Sequence, residues 1–348
     1  MAIEGEDRYL WLKSSLNRYK DLTDRTMLAY IPQSEPQKYL YTLARQYPAS
    51  GGKGFRPGLC FATCETYGGT TSAALLSSVA LELFHNAFLV HDDVEDGSKF
   101  RRGEKTINYA FGIPIAVNVG DAMNVLSIRP LMENIYHLGP KLTWQILSET
   151  EHMVRQCVEG QAMELGWVHD NDVNVTEDDY LRMILKKTCW YTCIHPCRIG
   201  ALIGTNGKVD PDRFNRFGYY MGAAFQIQDD VLNLTGQHNK YGKEIGGDIW
   251  EGKRTLILIH LLNSCNSEEK EKLRQFLSKP RNNRKLKDVK WVYSLFSKYN
   301  CINHAISLSR QLAGAALREF FVVYGSQKKS PQKQFIQDIV LYMIERDL

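Results

Sequence analysis

The 348-residue sequence lacks most of the features that assign a chain to a class of protein at once. It has no fixed-period repeat and no useful length of alternating strand pattern, so solenoids and β-sheet folds are not indicated. Its formal net charge is only +4, which gives no reason to expect a nucleic acid or an anionic membrane as partner. Apolar runs stay below the roughly 18 residues that a membrane span needs. The sequence does show helical periodicity of its apolar residues. We therefore predict a single all-α domain over residues 1–348 without an integral membrane segment.

Cysteine occurs eight times, but the chain shows no secretory signal pattern. This combination is typical of a reducing compartment, and the cytoplasm is the default expectation. Cys189, Cys193 and Cys197 recur every four residues, with His195 nearby. At that spacing the thiols form a ridge along a helix rather than a tetrahedral metal cage, so we interpret them as small buried hydrophobes.

The most informative stretch is 83–103, which reads LFHNAFLVHDDVEDGSKFRRG. At about 100° per residue, Asp92 and Asp96 each fall within roughly 20° of His85 on one helical face, and Asp93 lies about 80° from His85. Carboxylates clustered on an apolar helix repel one another unless a cation neutralises them. Oxygen-only ligands favour a hard ion such as Mg²⁺, while a solvated acidic helix end is the alternative interpretation.

A second acidic cluster lies far downstream, in the segment FQIQDDVLN. On a helix its Gln226, Asp229, Asp230 and Asn233 share one side, so the two clusters can face each other across a cavity. Acidic clusters accompanied by sets of Lys and Arg suit a Mg²⁺-bridged polyphosphate. The accompanying basic residues are Lys53, Arg56, Arg101, Arg102, Lys243 and Lys253.

In chain order, GGKGFRP, the first aspartate motif, the second aspartate motif and GKEIGGDIWEGKRT resemble the trans-isoprenyl diphosphate synthase family, and geranylgeranyl diphosphate synthases in particular. The resemblance runs over roughly residues 50–260. It implies an isoprenoid-synthase-type helical bundle around a central cavity. It also implies Mg²⁺ as cofactor, with three ions per active site, and a homodimer in which the apolar region 105–135 is our candidate contact.

The resemblance assigns a role to each motif residue. The isopentenyl diphosphate would be held by Lys53, Arg56, His85 and Arg102. The allylic diphosphate would be held by Arg101, Lys187, Thr188, Gln226, Lys243 and Lys253. The metal ligands would be Asp92, Asp96 and Asp229, and the catalytic set would comprise Asp92, Asp93, Asp96, Arg101, Lys187, Asp229 and Asp230.

The sequence departs from the family pattern at several positions. Asn233 replaces the last aspartate of the second motif, so the charge there must come from Asp229 and Asp230. The segment GQAMEL resembles the family's GQxxDL but has Glu164 in place of aspartate, with Gln161 intact. A role for Asn108, where the family has histidine, is correspondingly weakened.

The expected reaction extends an allylic diphosphate by one isopentenyl unit. Product length should depend on the depth of the apolar tunnel below Asp92. A bulky Phe88 or Phe84 favours a shorter product and a small Ala87 a longer one, and Met123 on the following helix is a further candidate. On the resemblance we expect the twenty-carbon product, with fifteen and twenty-five carbons as alternatives.

Two other classes of function fit parts of the sequence. A class I terpene cyclase shares the fold and the metal chemistry but has no second diphosphate site, and the intact Lys53, Arg56, His85 and Arg102 argue against it. A non-catalytic partner subunit that tunes another synthase would be expected to lose aspartates or lysines, most of which are retained here.

Overall fold

A computed structural model describes residues 9–236 and 246–345, and it confirms the all-α prediction. The helices α1 to α10 are Leu10–Tyr30, Thr42–Ala49, Phe55–Thr66, Thr71–Glu95, Ile107–Phe111, Ile113–Glu133, Ile135–His169, Glu177–Ile184, His195–Gly204 and Asn215–Thr235. Further α-helices are Gly247–Glu251, Leu256–Ser264, Ser267–Leu277, Leu286–Lys298, Cys301–Tyr324 and Pro331–Glu345. Two π-helices, Gln37–Tyr41 and Leu185–Ile194, and two short 3₁₀ turns, Pro211–Phe214 and Arg281–Asn283, complete the helical set.

The helix α4 forms the centre of the bundle and carries the first aspartate motif. It packs along α6 on one side and against α3 on another. In length and composition α4 meets the criterion for a membrane-crossing helix, which the sequence analysis did not anticipate, but 72% of its most apolar window is buried inside the protein. Its apolar surface is therefore covered by neighbouring helices, as in the core of a helical bundle.

Buried side chains form two clusters on different sides of α4. The larger cluster includes Phe84 and joins α3, α9, α10 and the C-terminal helices. The smaller cluster joins α1, α2, α4 and α6, and it contains Ala87 and Met123. The two faces of one helix thus belong to separate packing environments.

The π-helix Leu185–Ile194 lies between α7 and α10, and glycines allow this close approach. A Cβ atom on Gly160 would lie 2.3 Å from the backbone nitrogen of Lys187, and one on Gly222 would lie 2.8 Å from the Cα atom of Cys189. Both distances are shorter than packed atoms allow. Small residues on both neighbours therefore fix the position of the segment that carries Lys187 and Thr188.

Several helix ends and breaks have local causes in the sequence. Thr176 and Asp179 form a capping box that begins α8. Gly139 has a φ of 76° and interrupts α7 directly before Pro140. The π-helix ends at Ile194, and Pro196 lies in the first turn of α9, which follows it.

The two arginines after the first aspartate motif lie on a short hairpin. Phe100–Arg101 pairs antiparallel with Glu104–Lys105, and Arg102 occupies the turn with a φ of 53°. Adjacent residues of a strand point to opposite faces, and the turn changes the direction further. The hairpin therefore separates the directions of the Arg101 and Arg102 side chains.

Candidate active site

A cavity of about 540 Å³ opens between α3, α4, α10 and the π-helix Leu185–Ile194. It brings together nearly all of the residues that were predicted to bind substrate or metal. The predicted site residues lining it are Lys53, Arg56, His85, Asp92, Asp96, Arg101, Arg102, Lys187, Thr188, Gln226, Asp229, Asp230 and Lys253. Lys243 falls outside the described residues.

Asp93 points away from this cavity, unlike its neighbours Asp92 and Asp96. Its carboxylate accepts hydrogen bonds from Nε and Nη2 of Arg101 at 2.8 and 2.6 Å, and from the hydroxyl of Tyr47 at 2.5 Å. Asp93 is fully buried, and burial together with the negative charge of Asp93 raises the pKa of Tyr47. The first motif therefore presents two carboxylates to the cavity and uses the third to hold Arg101 at its edge.

Two lysine side chains that line the cavity form ion pairs with carboxylates. Lys253 Nζ lies 2.7 Å from Asp96 and 3.1 Å from Glu251, and Lys187 Nζ pairs with Glu164. Burial by itself would lower the pKa of Lys187. The negative charges of Glu164 and then Asp92 raise it by more, so the pKa lies above its ordinary value. The same balance, with Asp96 and Glu251 as the raising charges, keeps Lys253 cationic. Glu164, which replaces the family's aspartate, thus still reaches the motif lysine.

The second aspartate motif is held by a chain of hydrogen bonds. Tyr180 and the amide of Gln226 donate to Asp230 at 2.7 and 2.8 Å, and Thr188 donates to Gln226 at 2.8 Å. Burial, and then the negative charges of Glu164 and Asp229, raise the pKa of Asp230 to about 7. Carboxylates crowded to this degree are relieved when a cation binds among them.

Asn233 makes a structural contact for which a neutral side chain is sufficient. Its amide oxygen accepts the backbone N–H of Asp248 at 3.2 Å, and its backbone carbonyl accepts that of Gly246 at 2.7 Å. The side chain therefore fastens the start of the helix Gly247–Glu251 to α10. An amide oxygen serves this contact without adding charge to the cluster.

His85 is buried among cations on the opposite side of the cavity. Burial, followed by the charges of Arg56 and Arg102, holds its pKa well below the usual value of 6.5. The ring is therefore neutral at physiological pH, and its buried Nδ1 has no hydrogen-bond partner within the described residues. Arg56 donates to the hydroxyl of Thr192 at 2.9 Å and stacks on Tyr191, 4.3 Å from the ring centre.

The residues considered for product length lie in different places. Phe84 and Phe88 stack with ring centres 6.3 Å apart, and Phe88 meets Tyr191 edge to face at 5.7 Å. Tyr191 lines the cavity itself. Ala87 is fully buried in the smaller cluster beside α6, away from these rings.

Some cavity residues have no counterpart among the sequence predictions. Tyr180 and Tyr191 belong to this group, as do Lys20 and Asp24 of α1 and Glu82 of α4. Glu82 precedes His85 by three residues, so helical periodicity alone places it on the same face. For Lys20 and Asp24 no local signal exists, because their position depends on how α1 packs against the bundle.

Comparison with known proteins agrees with this geometry. The model of the polyprenyl synthetase family matches residues 37–296, and the chain therefore belongs to this family. The chain is a prenyltransferase with the fold of the trans-isoprenyl diphosphate synthases.

Relatives with different products are similarly close. Geranylgeranyl pyrophosphate synthase of Geoglobus acetivorans is 31% identical over 318 residues, covering 91% of this chain and 93% of the relative. Octaprenyl diphosphate synthase of Escherichia coli K12 is 30% identical over 266 residues, covering 75% and 79%. The crystal structure of geranylgeranyl pyrophosphate synthetase from Pyrococcus horikoshii superimposes with a TM-score of 0.85 at 28% identity, covering 98% of this chain and 100% of that one.

Proposed function

We propose that this protein condenses isopentenyl diphosphate with an allylic diphosphate and releases geranylgeranyl diphosphate. The observation that carries the proposal is the presence of two separate basic sets around one acidic cavity. Lys53, Arg56 and Arg102 lie on one side, and Lys187 and Lys253 lie among the aspartates on the other. A cyclase acting on one diphosphate has no use for the first set.

Residues of the first set would bind isopentenyl diphosphate. Arg56 and Arg102 are permanent cations with partly fixed guanidinium groups, since Arg102 is bonded to the carbonyl of Tyr47 at 3.3 Å and to that of Gly51. His85 adds a neutral ring whose Nδ1 is unused. A neutral imidazole donates a hydrogen bond to a phosphate oxygen without requiring a proton from solvent.

The oxygen-only donor set of Asp92, Asp96 and Asp229 fits Mg²⁺, and we propose that three ions bind per active site. When bound, Mg²⁺ stabilises the negative charge that collects on the departing diphosphate. Lys253 is paired with Asp96 in this structure. Its ammonium group would be available to bind the diphosphate if another cation neutralised that carboxylate. Lys187, which lines the same cavity and pairs with Glu164, would contact the same leaving group.

In the proposed reaction the allylic carbon–oxygen bond breaks and its electron pair leaves with the diphosphate. The double bond of isopentenyl diphosphate supplies the electrons of the new carbon–carbon bond, and the extended product then loses a proton to the departing diphosphate. The large apolar or aromatic side chains of Leu89, Phe225 and Tyr191, which line the cavity, would keep water from the cationic carbon.

Tyr191 lines the cavity and Phe88 packs against it edge to face, and these two residues are our candidates for setting product length. The twenty-carbon product is our choice. Fifteen and twenty-five carbons are the alternatives that the same wall could produce with small changes of depth.

We further propose a cytoplasmic homodimer. Along α5, α6 and the start of α7, large apolar side chains are exposed on the isolated chain, including Phe111, Val125, Ile128, Met132 and Tyr136. Such a patch is typical of a protein interface. Sedimentation at micromolar concentration tests the dimer, and a monomer of 39.9 kDa would contradict it.

The function is tested by incubating the purified chain with isopentenyl diphosphate and each allylic diphosphate in Mg²⁺, followed by analysis of product length. Asp92→Ala should abolish turnover, whereas Asp121→Asn, with a side chain 66% exposed on α6, should retain it. Hydrocarbons or alcohols formed from an allylic substrate alone would identify a cyclase. No turnover of the wild-type chain would favour a partner subunit.

A further inference from the structure

Outside the catalytic cavity, one group of side chains has the composition of a transition-metal site. Glu177 is the first residue of α8, His260 lies on the helix Leu256–Ser264, and His304 lies on the helix Cys301–Tyr324. Their candidate ligand atoms all lie within 4.8 Å of one another. None of the three lines the catalytic cavity.

The distances are close to those of a coordination sphere. Nε2 of His304 lies 2.9 Å from Oε1 of Glu177, and Nδ1 of His260 lies 3.7 Å from the same oxygen. Ligands of a tetrahedral Zn²⁺ ion, bound at about 2.0–2.2 Å, are roughly 3.3 Å apart. The separations of the ligand atoms are thus close to those of a bound ion, although the orientation of the rings is not.

We propose that Glu177, His260 and His304 bind one borderline divalent metal ion of the Zn²⁺ class, with water as the fourth ligand. Two imidazoles and one carboxylate match the ligand preference of Zn²⁺ and differ from the all-oxygen set of the catalytic cavity. The three side chains are 35%, 24% and 34% exposed, so a hydrated ion can reach them.

The histidine rings must turn for the ion to enter. Their planes are now stacked, with ring centres 4.0 Å apart and an angle of 18° between them. Ring nitrogens bind metals in the plane of the ring, so at least one imidazole rotates about a soft side-chain torsion on binding. Ser264 lies 3.5 Å from Nε2 of His260 and can accept its hydrogen bond while Nδ1 coordinates.

The site would join three separate elements and not perform chemistry. α8 also carries Tyr180, whose hydroxyl donates to Asp230 in the catalytic cavity. An ion at Glu177 would fasten the start of this helix to two C-terminal helices. We therefore expect a gain in stability from the ion and no requirement for it in turnover.

The test titrates Zn²⁺ and Co²⁺ into the full chain, stripped of metal and kept in millimolar Mg²⁺. We expect one tight Zn²⁺ per chain, the visible absorption of tetrahedral Co²⁺, and a higher melting temperature with Zn²⁺. His260→Gln and His304→Gln should each weaken binding at least about tenfold, which is no less than the loss seen for outer-shell partners of metal ligands. Both variants should keep wild-type turnover in Mg²⁺.

Matched controls separate this site from others. His169→Gln removes an 87% exposed histidine that lies 2.9 Å from a single carboxylate, and it should leave Zn²⁺ binding unchanged. Asp92→Ala should also retain it, so failure of the proposed catalytic function would not affect this result. Cys265→Ser controls for the one partly exposed thiol.

Three results would overturn the proposal: equal Zn²⁺ affinity in wild type and both histidine variants, loss of binding in Asp92→Ala or Cys265→Ser, or no tight Zn²⁺ in the wild type. The Co²⁺ spectrum of the wild-type chain decides the ligand class even if a variant fails to fold, because thiolate ligands add intense near-ultraviolet absorption.

Discussion

At the scale of single residues, identical side chains in one motif lie in different environments, and we expect them to have different functions. Asp92 and Asp96 face the cavity, whereas Asp93 is turned into the protein onto Arg101. A carboxylate in an ion pair that is nearly inaccessible to water contributes to folding, while one facing a cavity contributes to binding. Substitution of Asp93 should therefore mainly affect stability, whereas substitution of Asp92 or Asp96 should mainly affect activity.

Asp93→Ala should destabilise the fold by about 3–5 kcal/mol, because it leaves the guanidinium of Arg101 buried without its partner. Asp92→Ala should lower turnover by about a hundredfold or more and leave stability unchanged or slightly raised. Thermal denaturation and steady-state turnover of both variants measure the contrast. Equal melting temperatures of Asp93→Ala and wild type would contradict it.

His195 should make the protein sensitive to acid. Burial, followed by the charges of Arg198 and His152, lowers its pKa to about 3. The unfolded chain binds a proton at His195 near pH 6.5, whereas the folded chain does not until the pH approaches 3. The free energy of unfolding therefore has its full value above pH 6.5 and decreases as the pH falls toward 3. The loss amounts to about 2 kcal/mol at pH 5.

His195→Gln should reduce the difference in unfolding free energy between pH 7.5 and pH 5 by about that amount. Denaturant unfolding at the two pH values measures it, with His169→Gln as the exposed control. An unchanged difference in His195→Gln would show that His195 is protonated in the folded state.

At the scale of helices, the site depends on how closely neighbouring segments approach the π-helix Leu185–Ile194. Gly160 of α7 and Gly222 of α10 allow contacts that any larger side chain prevents. Neither glycine lines the cavity. Substitutions at these glycines should therefore affect activity by displacing Lys187 and Thr188.

Gly160→Ala should destabilise the protein by about 1–3 kcal/mol and lower kcat, because its Cβ displaces the backbone at Lys187. Gly166→Ala on the same helix is the matched control, since no heavy atom lies within 4 Å of its Cβ. That substitution should stabilise by about 0.5–1 kcal/mol. Thermal denaturation and kcat distinguish the two, and normal kcat in Gly160→Ala would refute the link.

At the scale of the whole molecule, we expect product length to depend on which helix face the growing chain meets. Tyr191→Ala and Phe88→Ala should lengthen the product by at least one isopentenyl unit, because Tyr191 lines the cavity and Phe88 packs against it edge to face. Ala87→Phe should cost about 1–3 kcal/mol of stability through overpacking against α6 and leave product length unchanged. Chromatography of the dephosphorylated products decides, and shorter products from Ala87→Phe would reverse the assignment.

The sequence by itself determined the helical class, local helix-end signals and most of the charged residues of the cavity. The helix Ser267–Leu277, for instance, begins after Asn266, whose side chain accepts the backbone N–H of Glu269. Periodicity and capping are local properties, and motif spacing brings Asp92 and Asp96 to one face regardless of the rest of the fold.

Only the tertiary structure decided which motif residues face the cavity and what lies beside them. The burial of Asp93 on Arg101, the Asn233 contact with Asp248, the positions of Lys20 and Tyr191, and the separation of Ala87 from Phe88 all depend on packing between distant segments. The physical reason is that a helical period gives the relative directions of side chains, whereas their partners are set by which neighbouring helix covers each face.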